Sequence, residues 1–275
     1  MSSSASAVAR VAALHRFAVK GLERDELTEA RLVAGEAFAS DRRYAMLFDD
    51  AEHFDAASPK WIHKKNFLCA FTANELLASY STCFSDATAT LRVWHRGGED
   101  APVPLLAARL DDEAGREAAA AFFSEAAGRR VRFVSSDEPR GHAFGNTHDK
   151  KSGETRVVHI VNANTVAALS AACGVELHPE RFRPNVILDG ALPAWEEFGW
   201  VDRTVCVGGA ALHVTKRTVR CEGVNADGRH GSGAADVDVP GELIRHFPEH
   251  GPYLGVYARV VGDGLIRVGD HVLLI

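Results

Sequence analysis

The sequence predicts a mainly β protein with a few helices, in the α+β class. Short apolar runs that tend to alternate recur along the 275 residues, separated by polar turns that often contain glycine or aspartate. Only a few stretches have both the composition and the end signals of helices. The last residues, up to Ile275, again have the pattern of a strand, and a chain that ends in a strand suits a closed β-barrel.

The first half of the chain is predicted to consist mostly of strands. Residues 111–127 form the clearest helix, because acidic residues in the first turn suit the helix dipole, the body is rich in alanine and Gly128 ends it. Residues 66–78 show no clean period, so strand and helix both stay open there. The predicted strands are residues 8–19, 27–33, 42–48 and 87–94.

The second half is predicted to hold two short helices and several strands. One helix covers residues 165–173, capped by Asn162 or Asn164 and ended by Gly174, and its Cys173 is expected to pack in the core. The other helix begins at Pro240 and runs to residue 247. Gly262-Asp263-Gly264 predicts a hairpin between the last two strands. The predicted strands are residues 186–188, runs within 199–219, 254–261 and 265–275.

A polar stretch divides the chain. Residues 135–154 contain one proline and three glycines among polar residues, which is typical of a long loop. The predicted organisation is a disordered N-terminus at residues 1–7, an N-terminal domain at 8–134, a linker at 135–154 and a C-terminal domain at 155–275.

Composition limits the function classes. A net charge of −6 argues against a nucleic-acid-binding surface. Five cysteines without a C-x-x-C pair favour a reducing, cytoplasmic compartment over a disulfide framework. The start of the chain lacks the plan of a signal peptide, and no run of about 20 apolar residues predicts a membrane span.

Cys221 is the main candidate for chemistry. It follows the strand-like run at residues 212–219, and its neighbours Arg217 and Arg220 favour the thiolate, the form that attacks electrophiles or binds soft metals. The alternative is a buried cysteine that only fills space. His230, in the glycine-rich loop that follows, is a second candidate that could reach a bound metal.

Four motifs occur in order along the C-terminal part, and in that order and spacing they resemble the MOSC domain. They are Arg181-Phe182-Arg183-Pro184-Asn185-Val186, Arg220-Cys221, Leu254-Gly255-Val256-Tyr257-Ala258 and Ile266-Arg267-Val268-Gly269-Asp270-His271-Val272. The pairs Val19-Lys20 and Asp41-Arg42 resemble positions of the N-terminal β-barrel domain that accompanies it. The resemblance implies a MOSC β-barrel packed with that N-terminal domain.

The resemblance also implies a site and an activity. Cys221 would be a thiolate ligand to the molybdenum of a pterin cofactor, the molybdenum cofactor (Mo-molybdopterin). Gly21 stands where the family often has a hydroxyl residue, so one phosphate donor is lost here unless a backbone N–H replaces it. The other implied cofactor-binding residues are Lys20, Arg42, Arg183, Asn185 and Arg220.

The implied activity is that of the amidoxime-reducing branch, an oxidoreductase that reduces small N-hydroxylated substrates. With no flavin or iron–sulfur signature in this chain, electrons would come from a separate ferredoxin- or flavin-type donor protein. Two alternatives stay open. Cys221 could instead carry sulfur as a persulfide, or the chain could bind the cofactor without turnover, since the loop after Cys221 departs from the reductase pattern.

Overall fold

The computed structural model describes residues 9–51, 60–136, 144–145, 147, 155–228 and 232–275. The expected disordered N-terminus, most of the expected linker and His230 lie outside these residues. The strands are Ala9–Arg16 (β1), Val19–Lys20 (β2), Asp25–Leu27 (β3), Glu29–Leu32 (β4), Tyr44–Phe48 (β5), Tyr80–Ser85 (β6), Thr90–His95 (β7), Leu106–Arg109 (β8), Val131–Ser135 (β9), Val158–Asn162 (β10), Val186–Asp189 (β11), Thr204–Val207 (β12), Ala210–Val219 (β13), Tyr253–Gly262 (β14), Gly264–Arg267 (β15) and His271–Leu274 (β16). The α-helices are Asn74–Ala78 (α1), Glu113–Ala127 (α2), Ala163–Cys173 (α3) and Val239–His246 (α4), and four 3₁₀ turns cover Lys64–Asn66, Pro179–Phe182, Glu196–Trp200 and Glu222–Val224.

Seven strands close into a barrel. Their order is β11-β10-β14-β13-β12-β16-β1, and β1 pairs back onto β11 to complete the ring. Strand β1 is essential to this closure, since it pairs with β16 on one side and β11 on the other. The interior is filled by apolar side chains, among them Val11 and Leu14 of β1 and Trp200 beside the barrel. The prediction of a mainly β, α+β fold with a β-barrel is confirmed.

Strand β3 pairs with β1 at the side of the barrel, and two smaller sheets of the N-terminal half are ordered β2-β5-β9 and β6-β7-β8. Helix α2 packs against them through the buried Ala119 and Phe123. A short ribbon of β4 and β15 joins this half to the C-terminal half. The domain boundaries expected from the sequence stay a prediction, although β1 lies on the N-terminal side of them and belongs to the barrel.

The helix ends follow their cap signals. Asp112 accepts a hydrogen bond from the Gly115 amide at the start of α2, and Gly128 ends it in the left-handed conformation. Asn162 caps α3 and Gly174 ends it in the same way. The undecided stretch 66–78 turns out to hold the end of one 3₁₀ turn and the short helix α1.

The hairpin predicted at Gly262-Asp263-Gly264 is wrong. Strand β14 pairs with β13 and β10, whereas β15 pairs with β4, and the predicted last strand is broken between β15 and β16. The Asp263 side chain instead accepts a hydrogen bond from the Ala34 amide at 2.7 Å. The turn signal was local, and the long-range pairing with β4 decided the outcome.

One buried carboxyl should make stability depend on pH. Glu197 is fully buried and accepts hydrogen bonds from Asn162 (3.0 Å) and from the Thr165 hydroxyl (2.9 and 3.0 Å). Burial raises its pKa from 4.5 to about 6. Because the pKa is higher in the folded than in the unfolded protein, the protonated carboxyl stabilises the fold. This contribution is fully present below pH 4.5 and is lost as pH rises through about 6.

We therefore expect the unfolding free energy of the wild type, relative to Glu197→Gln, to fall by about 2 kcal/mol between pH 4.5 and pH 8. Urea unfolding of both proteins at the two pH values measures it, and all other titrating groups cancel in the difference. A difference that stays constant with pH contradicts the prediction.

Among the described residues, no helix has the length and apolar character needed to cross a membrane.

Candidate functional site

A cavity of about 400 Å³ lies where the end of β13 faces the N-terminal half. Its described lining contains four lysine and arginine side chains and no aspartate or glutamate. These cations are Lys20, Lys64, Arg183 and Arg220. The whole chain carries a net charge of −6, whereas the described lining of this cavity is positively charged. The lining therefore suits an anionic ligand.

Cys221 stands in this wall directly after β13. Its backbone is extended and begins the 3₁₀ turn Glu222–Val224, where the Val224 amide donates to the Cys221 carbonyl at 3.1 Å. The thiol is exposed, and the Lys64 ammonium donates to its Sγ at 2.7 Å. The sulfur is therefore accessible from the cavity and paired with a cation.

Arg181 holds the loop that follows Cys221. Its guanidinium makes two hydrogen bonds to the Asp236 carboxylate, both at 2.6 Å, and one to the Val224 carbonyl at 3.2 Å. The bonds to Arg181 also lower the pKa of Asp236. Asn225 also holds this loop, with its side-chain oxygen accepting from the Val239 amide at 3.0 Å. The first residue of the Arg181 motif thus fixes the course of the chain after the cysteine.

Lys20 brings a buried ammonium to the same cavity. Strand β2, which ends at Lys20, pairs in parallel with β5, and Nζ donates to the carbonyls of Phe144 (3.0 Å) and Gly145 (3.4 Å). Burial lowers the pKa of Lys20 to about 8. The ammonium is therefore still charged at neutral pH and is fixed in place by two carbonyls.

Gly21 is required by the backbone and by a close neighbour. Its φ of +97° lies in the left-handed region, and a Cβ built on it would lie 2.6 Å from the Cys69 Cα. A serine or threonine, the hydroxyl residue that the resemblance leads one to expect here, does not fit this position.

We expect Gly21→Ala to lower the unfolding free energy by about 2 kcal/mol or more, since strain in φ adds to the clash with Cys69. Gly35→Ala is the matched control, because Gly35 has a φ of +80° with nothing within 4 Å of its Cβ position. Its loss should be about 1 kcal/mol, from φ alone. Equal losses in urea unfolding would show that the contact with Cys69 costs nothing.

Arg183 and Arg42 share one aromatic ring. The Arg183 guanidinium lies 4.2 Å from the Phe17 ring centroid and donates to the Leu22 carbonyl at 2.8 Å. The Arg42 guanidinium lies 4.7 Å from the same centroid and donates to the Arg183 carbonyl at 3.4 Å. Burial, followed by the charge of Arg42, lowers the pKa of Arg183 to about 9. Arg183 therefore stays cationic at neutral pH.

Arg42 and Asn185 are buried and are not part of the described cavity lining. Arg42 is buried and paired with Asp41. Asn185 donates to Asp41 (3.1 Å) and to the His15 carbonyl (3.2 Å), and accepts from the His159 amide (3.1 Å). Both side chains therefore brace Asp41 and the strands around it.

Of the seven residues expected at the site, the structure brings five to one cavity. These are Lys20, Gly21, Arg183, Arg220 and Cys221.

Arg220 provides a donor beside the cysteine. It is buried, donates through Nη2 to the Phe182 carbonyl at 2.9 Å and packs on the Phe182 ring. Burial lowers its pKa to about 10, so it too is charged at neutral pH. Its Nε is buried without a hydrogen-bond partner among the described atoms. Because buried polar atoms are normally paired, this donor points to a bound group or water.

Sequence reasoning assigned no role to four residues of the N-terminal half that line the same cavity as the cysteine. They are Trp61, His63, Lys64 and Phe71. The only sequence signal was a short run of aromatic and basic residues at positions 61–65, and nothing local ties that run to Cys221. His159 was also missed; it packs on the cavity residue Tyr257 at 5.0 Å between ring centroids, and burial holds its pKa well below the usual range.

A model of the MOSC domain matches residues 142–273. The C-terminal half of the chain is a MOSC domain. MOSC domains are associated with binding of the molybdenum cofactor and occur in sulfurase and reductase families. The cavity is lined partly by residues of this domain, Cys221 among them, and partly by residues of the N-terminal half. Among curated proteins, none matches the chain in sequence.

Solved structures give distant matches that cover part or nearly all of the chain. The YuaD protein of Bacillus subtilis is 11% identical with a TM-score of 0.42, and the match covers 96% of this chain and 93% of that one. YiiM of Geobacillus stearothermophilus is 19% identical with a TM-score of 0.33. YiiM of Escherichia coli is 13% identical with a TM-score of 0.30. For both YiiM proteins the match covers 43% of this chain and 53% of theirs.

Proposed function

We propose that the chain binds the molybdenum cofactor in the 400 Å³ cavity, with Cys221 as a ligand to the metal, and reduces small N-hydroxylated compounds. One observation carries the proposal. An accessible cysteine sulfur stands in a wall that holds four cations and no carboxylate among its described residues, in a chain of net charge −6. A soft sulfur donor with a cationic lining fits a soft metal on an anionic, phosphate-bearing carrier.

The donors and the volume agree with such a ligand. A cavity of about 400 Å³ is within the usual range for small-molecule sites. The unpaired Nε of Arg220 lies on the residue next to the proposed metal ligand. Lys20 and Arg183 are the cations of the lining that would hold the phosphate, one as a point charge and the other through its planar fork. The residues present therefore fit the group.

Each residue then has a defined task. When bound, the cofactor supplies two-electron redox chemistry at its metal. Cys221 anchors the metal, Arg220 donates beside it, and Lys20 and Arg183 neutralise the phosphate. Arg42 and Asn185 act indirectly, since they hold Arg183 and Asp41 in place from behind the wall.

The reaction balances with an external reductant. The N–O bond of the substrate breaks and an N–H bond forms, while two electrons and two protons are consumed and water leaves. The sequence has no flavin or iron–sulfur signature, so a separate electron-donor protein of the ferredoxin or flavin type is part of the proposal.

A sulfur carrier is the second candidate, and the contact between Lys64 and Cys221 favours it. In this reaction the Cys221 thiolate attacks the outer sulfur of a donor persulfide, the S–S bond of the donor breaks, and the donor leaves as a thiolate. The new persulfide on Cys221 is an anion, and the Lys64 ammonium at 2.7 Å from Sγ is placed to pair with it.

The test is direct. Protein produced in cells that make the cofactor is analysed for molybdenum and pterin, and then assayed with reduced viologen dye and a set of amidoximes and hydroxylamines. Near-stoichiometric metal with dye oxidation that depends on the substrate supports the reductase. Absence of metal and pterin, together with uptake of sulfane sulfur at Cys221 from a persulfide donor, supports the carrier.

A further inference from the structure

Lys64 reaches Cys221 from the other half of the chain. The two residues are 157 positions apart, yet Nζ lies 2.7 Å from Sγ. Lys64 has no ion pair with a carboxylate among the described residues, so the cysteine sulfur is the anion-forming group that it contacts. An ammonium with three donors can serve this sulfur and still have donors for another group.

The surroundings hold the ammonium at this place. Its Nζ lies 4.0 Å from the centroid of the Phe71 ring, a cation–π contact. The 3₁₀ turn Lys64–Asn66 is capped by the His63 side chain, and the Asn66 side-chain amide donates to the His63 carbonyl at 3.2 Å. Phe67, which follows, is fully buried. Lys64 thus extends from a fixed turn and rests on an aromatic ring.

We infer that Lys64 is a positioning residue of this site, which holds the Cys221 sulfur and draws anionic groups to it. The other three cations of the lining donate hydrogen bonds to backbone carbonyls: Lys20 to two of them, Arg183 to that of Leu22 and Arg220 to that of Phe182. Lys64 differs because its described hydrogen bond goes to the reactive atom itself. A negatively charged reagent that reacts at this sulfur therefore lies next to the ammonium.

The first test uses protein without cofactor and therefore does not depend on the proposed function. Cys221 is alkylated with the anionic reagent iodoacetate and with the neutral reagent iodoacetamide at one pH, and each cysteine is followed by mass spectrometry. Both reagents react with the thiolate, so the fraction of thiolate cancels in the ratio of the iodoacetate rate to the iodoacetamide rate. The ratio then reports the charge near the sulfur. In Lys64→Met this ratio should fall about threefold to tenfold at Cys221. Lys64→Arg should keep it, and Phe71→Leu should lower it in part.

Two controls accompany this measurement. Cys83 is exposed on β6 and outside the cavity, so its ratio should be the same in every variant and shows that the fold is intact. Lys65→Met removes the exposed neighbouring lysine and should leave Cys221 unchanged. A Lys64→Met protein with the wild-type ratio at Cys221, or a Lys65→Met protein with the same drop, overturns the inference.

For the loaded protein the role of Lys64 rests on the proposed function. A hydrogen bond to a ligating sulfur withdraws electron density from it, so its loss should move the sulfur-to-metal absorption to longer wavelength and lower the reduction potential. Lys64→Met should show both shifts, and Lys64→Arg and Lys65→Met should not. A loaded Lys64→Met protein with the wild-type spectrum and potential counts against the inference, whereas a wild type that takes up no metal counts against the proposed function alone.

Discussion

Cys221→Ser should abolish retention of molybdenum. Serine keeps the size of the side chain and a hydrogen bond to Lys64, but its hydroxyl is not a thiolate and is a poor ligand for a soft metal. We expect the metal content per chain to fall at least about tenfold, because loss of a ligand costs no less than loss of an outer-shell partner. Elemental analysis of protein purified in parallel from cofactor-producing cells measures it.

Cys83→Ser is the matched control. Cys83 is also exposed but lies on β6, outside the cavity lining, so its replacement should leave the metal content unchanged. Circular dichroism and urea unfolding should not distinguish the two variants from the wild type. If Cys221→Ser keeps the wild-type metal content, Cys221 is not the ligand, and the cationic wall must act without it.

Local sequence signals predicted most of the elements. The caps at Asp112 and Gly128, and at Asn162 and Gly174, are short-range chemistry, so both helices could be placed within two residues of their observed ends. The mainly β class followed from short alternating runs. These signals do not depend on the rest of the chain.

Strand partners could not be predicted in the same way. Gly262-Asp263-Gly264 had the chemistry of a hairpin turn, yet β15 pairs with β4, more than 200 residues earlier. Likewise nothing in residues 9–16 indicates that this strand closes the C-terminal barrel. Pairing is decided by which apolar faces can be buried together, and this is a property of the whole fold.

The same limit applies to the site. Cys221 was a candidate because it follows a strand and has Arg217 and Arg220 as neighbours, whereas its role as a ligand and the roles of Lys20, Arg183 and Arg220 came from the family resemblance. Their meeting in one cavity is visible only in three dimensions. The run of aromatic and basic residues around Lys64 did not indicate its role, since its contact with Cys221 spans 157 residues and a lysine is usually a solvated surface group.

Leu14→Ala should be the most destabilising of the single substitutions argued from the fold. Leu14 is 1% exposed, lies in the barrel core and faces Val186 of β11 on one side and Leu27 of β3 on the other. Truncation removes buried apolar surface and leaves a cavity, at a cost of about 3 kcal/mol. The loss acts on the strand that closes the ring, so barrel and N-terminal half should unfold together at a lower urea concentration.

Leu105→Ala makes the same chemical change at a position that is 47% exposed, and should cost less than about 1 kcal/mol. Unfolding is followed with two probes. One is tryptophan fluorescence, to which Trp200 beside the barrel contributes. The other is the alkylation rate of Cys69, which is buried in the N-terminal half. Coincident transitions at the lowered midpoint fit a barrel closed by β1. If Cys69 stays protected while fluorescence changes, the halves unfold separately and β1 is not what couples them.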